Sequence, residues 1–179
     1  MATEVELEYT YLAKELPKDL ANAPSKLIID VYYPAEVAHP ALRIRQSGDT
    51  YELTKKENAS GTDSSYKLEH TVVLDRNEFE ALTKAPGRRV AKRRYYYEYK
   101  GHTAEIDVFQ EDLKGLVEVD FEFKTREEQY AFTMPDFCLA DVTQEAFAAG
   151  GMLAGKTYKD IEKKLAEYNY KPLSIEAAA

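Results

Sequence analysis

Like-charged side chains two residues apart recur along this chain. Glu6 and Glu8 flank Leu7, Arg43 and Arg45 flank Ile44, and Lys92 and Arg94 repeat the spacing. Glu105 and Asp107 alternate with Ile106 and Val108, and Glu118, Asp120 and Glu122 alternate with Val117, Val119, Phe121 and Phe123. Residues two apart on a β-strand share a face, so each set puts charge on one side and apolar groups on the other. Singly, each set is what the solvated face of a half-buried strand shows. Together they sort by sign, acidic pairs on some strands and basic pairs on others, whereas solvated faces mix signs. If the sheet closes with its charged face inward, a basic wall meets an acidic wall. Guanidinium groups make paired hydrogen bonds to phosphate oxygens. Carboxylates without a neighbouring set of His or Cys ligands favour hard cations such as Mg2+ or Mn2+. The chemistry that reconciles the two walls is a chain of phosphates with a divalent metal between it and the carboxylates.

Positioning these groups requires strands, and alternation of period two dominates the sequence. Val5, Leu7 and Tyr9 alternate with Glu4, Glu6 and Glu8; residues 27–33 form a β-branched and aromatic run ending at Pro34. Leu42 and Ile44 alternate with Arg43 and Arg45, Ser47-Gly48-Asp49 is a turn signal, and residues 50–56 read as the returning strand. A polar loop over 57–65 leads to a strand over 66–74. Residues 88–99 and 103–109 form a hairpin about Lys100-Gly101, and 116–123 follow. Asp75 with Glu78 predicts a capping box and a helix with Phe79 and Leu82 on its apolar face, ended by Ala85-Pro86-Gly87. Thr125 with Glu128 predicts a second capping box and a helix over 125–133. Thr157 with Asp160 starts a third helix, with Tyr158, Ile161 and Leu165 on one face. Seven or eight strands with a few helices and short turns give an α+β antiparallel barrel or sandwich.

In order and spacing, these segments resemble the CYTH superfamily, the triphosphate tunnel metalloenzymes. Glu6-Leu7-Glu8-Tyr9-Thr10 resembles its N-terminal E-x-E-x-K signature, Leu42-Arg43-Ile44-Arg45-Gln46 its R-x-R strand, and Lys56 its substrate lysine. Lys92-Arg93-Arg94 resembles its K-x-R strand, residues 105–109 its acidic-aromatic strand, and Glu118-Val119-Asp120 its late E-x-E strand; Gly155-Lys156-Thr157 resembles the segment before its last helix. The resemblance implies an antiparallel eight-stranded closed β-barrel, a tunnel open at both ends, with a few flanking helices. It implies one tunnel domain over 1–170, with 171–179 expected to be a disordered tail. It also implies metal-dependent hydrolysis of a triphosphate. Carried over by position, Glu6, Glu8, Glu118 and Asp120 hold Mg2+ or Mn2+, with Glu69 and Asp107 as further candidates. Arg43, Arg45, Lys56, Lys92 and Arg94 hold phosphates, and Glu6, Glu8, Arg45 and Lys56 carry the catalysis. Two positions depart from the pattern: Thr10 stands where the signature has Lys, and Thr71 replaces the second acidic residue of the strand at Glu69. Inorganic triphosphate is the favoured substrate, because no base-binding element marks an organic moiety. Thr10 motivates the alternative of a polyphosphate or nucleotide binder without turnover; adenylate cyclisation, which some relatives perform, is a further alternative.

Composition narrows the classes. The chain has 179 residues, enough for one domain with a sizeable core, and a formal net charge of −8, which disfavours nucleic acid as partner. Arg88, Arg89, Lys92, Arg93 and Arg94 form a local basic run that does not outweigh that balance. A lone cysteine, Cys138, rules out an internal disulfide framework and is expected to be packed. Neither a signal peptide nor a membrane-spanning run is seen, so a cytoplasmic location without membrane partner, as monomer or homodimer, is expected. His39, His70 and His102 are scattered and are read as no ligand set. The glycine-bearing segment over 146–153 is read as an insertion near a tunnel end, a connector or a lid.

Overall fold

The computed structural model describes residues 2–59 and 62–175. Eight antiparallel strands form the barrel. They are β1 (Ala2–Ala13), β2 (Ser25–Tyr33), β3 (Leu42–Ser47), β4 (Thr50–Asn58), β5 (Tyr66–Leu74), β6 (Arg88–Tyr99), β7 (His102–Phe109) and β8 (Val117–Phe123). Their order around the barrel is β5-β4-β3-β2-β6-β7-β8-β1, and β1 closes the ring on β5. The closing ladder runs from Ala2 opposite Thr71 to Leu7 opposite Tyr66, and the next runs from Leu7 opposite Phe123 to Leu12 opposite Glu118. A ninth short strand, β9 (Cys138–Asp141), extends the sheet beside the end of β1. Four residues carry no periodic signature of their own, so β9 was not foreseen.

This barrel is polar inside and apolar outside. Leu7, Tyr11, Ile106, Val119 and Phe121 point outward and are nonetheless buried. They are covered by Leu20, Phe132, Phe137 and Cys138 and by the C-terminal Leu173 and Ile175. Each large side chain so covered contributes about 1.5–3 kcal/mol, which offsets the cost of a charged interior. The tail was expected to be disordered from residue 171. Its first residues are docked, with the Leu173 amide donating to the Gly115 carbonyl at 2.9 Å; 176–179 lie outside the described residues.

Four helices flank the barrel: α1 (Arg76–Leu82), α2 (Arg126–Ala131), α3 (Gly150–Leu153) and α4 (Tyr158–Glu167). The capping boxes at Asp75 and Thr157 form as the sequence predicts. The one at Thr125 is half made. Its hydroxyl accepts the Glu128 amide at 3.1 Å, but the Glu128 carboxylate turns to the Lys124 amide at 2.9 Å. On α1 Phe79 packs against Val31, Ile44 and Tyr51, whereas Leu82 is 41% exposed and meets the sheet through its carbonyl, which accepts the Tyr33 hydroxyl at 3.0 Å.

One end of the lumen is plugged. Inward-facing positions are charged through most of each strand, but Leu12, Tyr32, Val90 and Phe109 turn that end apolar. They pack with Val142, Phe147, Ala148 and Leu153 in one buried cluster. The segment that supplies these residues crosses the mouth. The Val142 amide donates to the Thr10 carbonyl of β1, while Gly150 lies against the Tyr32 hydroxyl of β2. β1 and β2 are four steps apart in either direction around the ring, hence opposite each other. Arg88 fastens the far side by donating to the carbonyls of Val37, Ala38 and Gly151. The two open ends implied by the resemblance are therefore replaced by a blind tunnel, and the segment over 146–153 is a fixed plug held by apolar packing.

Candidate active site

The strand order collects charges that the sequence scatters. Cations gather on one arc: Lys67 on β5, Lys56 on β4, Arg43 and Arg45 on β3, Lys26 on β2, and Lys92 and Arg94 on β6. On the remaining arc, β7, β8 and β1, the charged lining residues are all carboxylates, while Glu69, Glu52 and Asp30 stand among the cations. The cavity between them is about 770 Å³, within the range of small-ligand sites. Every residue proposed for metal or phosphate lines it except Asp107, which is 1% exposed and lies beneath Lys92 and Arg94.

The arginines are held from behind. Arg45 Nε and Nη2 donate to the two oxygens of Asp30 at 2.7 and 2.8 Å. Arg94 does the same to Asp107, both at 2.7 Å, and reaches Asp120 at 3.1 Å and Glu105. Burial alone would raise both anchoring carboxyls. The Arg45 guanidinium holds Asp30 well below the usual carboxylate range, and Arg94 with Lys92 brings Asp107 to about 2. Arg43 is less engaged, 4.0 Å from Asp30 and 3.7 Å from Glu69, and its buried Nε has no partner among the described residues. Lys56 bonds Glu6 and lies 3.2 Å from Glu69.

The acidic arc is under-neutralised. Burial and the neighbouring Asp120 push Glu118 well above its ordinary value, and its buried Oε1 has no partner among the described residues. Burial likewise raises Glu105, Asp120 and Glu6, and, with Glu105 and Glu6, carries Glu122 to about 7. Glu8 is the exception: Lys56 and Lys67 outweigh its burial and bring it to about 2. At position 10, the Thr10 hydroxyl donates to Asp120 Oδ1 at 2.7 Å.

Four charged strand residues of the lumen escaped the sequence reading, Lys26, Asp30, Glu52 and Lys67, and two of them, Asp30 and Lys67, are closely engaged in the site. Asp30 is a lone acid within an apolar run, and a buried carboxylate needs a charged partner, which was the available signal. Lys67 precedes Glu69 by two residues and so shares its inward face, as period two dictates. Cys138 is buried, as its neighbours suggested. His39 lines the cavity near the plug, while His102 stacks on Phe123 and Phe132 outside the lumen.

Fold and lumen together define a β-tunnel whose inside is charged and whose outside is clothed by apolar residues. The sequence profile of the CYTH domain matches residues 2–136. An inorganic triphosphatase from Nitrosomonas europaea is 34% identical over 106 residues, 58% of this chain and 68% of that protein. The crystal structure of an inorganic triphosphatase superposes with a TM-score of 0.61 at 26% identity, covering 84% of this chain and 95% of that one. An adenylate-cyclase candidate from Bacillus halodurans superposes with a TM-score of 0.54 at 15% identity, over 99% of this chain and 96% of that one, and shows the shared fold. The chain belongs to the CYTH domain family.

Membership implies a divalent metal, and the lumen fits one by donor chemistry. Its acidic arc offers only carboxylate oxygens, suited to hard cations, and leaves Glu118 Oε1 unsatisfied. Among the described residues no three carboxylate, His or Cys side chains already converge as a cage. The reason is visible in the pairs: Lys67 occupies Glu8, Lys56 occupies Glu6 and Arg94 occupies Asp120. No helix among the described residues is long and apolar enough to cross a membrane.

Proposed function

We propose that this protein hydrolyses a short linear polyphosphate, with inorganic triphosphate as substrate, in the blind charged tunnel. The observation that carries this reading is the facing of a continuous cationic arc and an under-neutralised acidic arc across one cavity. A triphosphate brings several negative charges to the first arc, and a cation supplies what the second lacks. The triphosphatase relative supports the same reaction class.

Arg43, Arg45, Lys56, Lys92 and Arg94 bind and align the phosphates. Asp30 and Asp107 fix Arg45 and Arg94 in rotation, so their charge is in place before the substrate arrives. Such prior alignment stabilises the charge that shifts onto oxygen as the phosphoanhydride bond breaks. Glu6, Glu8, Glu118 and Asp120 would hold Mg2+ or Mn2+, which when bound supplies positive charge to phosphate oxygens and a more acidic water. Water enters the phosphoryl group and the remaining diphosphate leaves toward the open mouth, because the other end is plugged.

The test is phosphate release from tripolyphosphate with Mg2+ or Mn2+. The Glu6→Ala and Arg45→Ala variants should lose at least a hundredfold in kcat/KM, about 2.7 kcal/mol; unchanged release in both sinks the proposal. A second reading, binding without turnover, rests on Thr10, which offers a hydroxyl where the family signature has an ammonium. Tight calorimetric binding with no product would establish it.

A further inference from the structure

Thr10 leaves the acidic arc without a cation of its own on β1, yet an ammonium reaches that strand from next door. Lys67, on β5, sits opposite Glu6 in the closing ladder, and its Nζ donates to Glu8 Oε1. Glu8 and Thr10 are neighbours on the inward face of β1, about 7 Å apart along the strand. Thr10 lines the cavity too, but its hydroxyl is committed to Asp120 on β8. Lys67 thus stands at the seam where the cationic arc meets β1. It is the counterpart of Lys92 and Arg94, which stand at the other seam, where β6 meets β7.

We infer that Lys67 is a sixth phosphate-binding cation of this lumen, taking over from the neighbouring strand the charge that position 10 does not provide. This rests on the triphosphatase reading and deepens it. Lys67 lines the same cavity as the five cations proposed above for phosphate, and its side chain is 24% exposed, close to the 25% of Lys56. The Glu8 carboxylate that holds it is also one that a divalent cation would take. An ammonium has three N–H donors, so Lys67 can bond Glu8 with one and offer the others to phosphate oxygens. The position is also firm at its base. Gln129, fully buried on α2, donates to the carbonyls of Glu8 and Ser65, and the Glu8 amide donates to the Ser65 carbonyl. These bonds lock the end of the β1–β5 ladder from which Lys67 projects.

The competing role is neutralisation of Glu8 alone, and two variants separate the two. Binding of a non-hydrolysable imido analogue of triphosphate is measured by calorimetry without metal, and turnover of tripolyphosphate is measured with Mn2+. K67M should weaken analogue binding at least tenfold and raise KM more than it lowers kcat, with its thermal unfolding checked against wild type. K67R should stay within threefold of wild type in both assays. Adding T10K to K67M should return at least half of the lost affinity on a logarithmic scale. The charge-matched K67M/E8Q variant should remain at least fivefold weaker than wild type in metal-free binding. Wild-type affinity in K67M, in K67M/E8Q, or no recovery on adding T10K each overturns the inference. Wild-type protein that neither binds the analogue nor turns over tripolyphosphate overturns the underlying reading instead, and the inference falls with it.

Discussion

Replacing Asp30 by Asn tests how the arginine wall is built. Asp30 is 2% exposed and accepts both Nε and Nη2 of Arg45. Removing one partner of a buried ion pair leaves the other charge desolvated and uncompensated, at a cost of about 3–5 kcal/mol. Asn retains one acceptor oxygen and Arg45 keeps 14% of its side chain exposed, so a loss near the lower bound, about 3 kcal/mol, is expected. In a domain of this size that corresponds to a fall in Tm of about 6–12 °C. The pH dependence has a definite sign. The folded-state carboxyl lies below its unfolded value, because Arg45, Arg43 and Lys92 outweigh burial. Its contribution is therefore complete above the ordinary Asp value of about 4 and is lost as pH falls through the folded-state value. The gap between wild type and D30N should be full at pH 7 and close on strong acidification. Triphosphate adds a second readout. An anion at a hundred times its Kd stabilises its binder by about 2.7 kcal/mol, and in D30N it also compensates the stranded guanidinium, so the variant should gain more than wild type. Urea unfolding at pH 7, with and without tripolyphosphate, measures both. A D30N stability within about 0.5 kcal/mol of wild type, the range of an ordinary surface substitution, refutes the buried-pair argument. A deficit that the anion leaves unchanged refutes the claim that Arg45 faces the ligand.

Mn2+ without any phosphate should raise the Tm, by the equivalent of about 2.7 kcal/mol at a hundredfold excess over Kd, and E118Q should remove most of that gain; a Tm indifferent to Mn2+ contradicts the assignment of Glu6, Glu8, Glu118 and Asp120. Burial pushes the Cys138 thiol up to about 12, and the thiolate is the reacting form. At pH 8 a thiol reagent should therefore leave the native protein untouched and label it fully in denaturant, and rapid native labelling would show that the outer apolar layer is open. Gly151→Ala places a Cβ 2.6 Å from the Pro40 carbonyl oxygen, so the plug must shift. A loss of about 1–3 kcal/mol by thermal unfolding is expected, and an unchanged Tm would mean that the plug is not held against the β2–β3 connection.

What could be read from the sequence was whatever period two encodes. That Glu6 and Glu8, Arg43 and Arg45, Lys92 and Arg94, or Glu118 and Asp120 share a face follows from parity, and so does their sorting by sign, but not that this face turns inward. Parity says nothing about which strand lies beside which, and the two pairings that make the arcs continuous, β2 with β6 and β1 with β5, join segments more than fifty residues apart. The plug was equally hidden, because Val142, Phe147 and Leu153 carry no strand or helix period. Their role appears only when Leu12, Tyr32, Val90 and Phe109 are seen to turn one end of the lumen apolar. Asp30 and Lys67 were missed for opposite reasons. Asp30 stood alone in an apolar strand, so no pair drew attention to it; Lys67 had the right parity but sat on a strand whose acidic pattern was already broken at Thr71. Lys67 stands at a seam between charge types and Asp30 between the cationic strands β3 and β6, and both placements are properties of strand order. Thr10, with a hydroxyl on β1, and Lys67, whose ammonium reaches Glu8 of β1 from β5, make the same point from within one site. A charge removed from one strand can be restored from its neighbour across a ladder, so a motif read along a single strand can look broken while the lumen it lines keeps its cation.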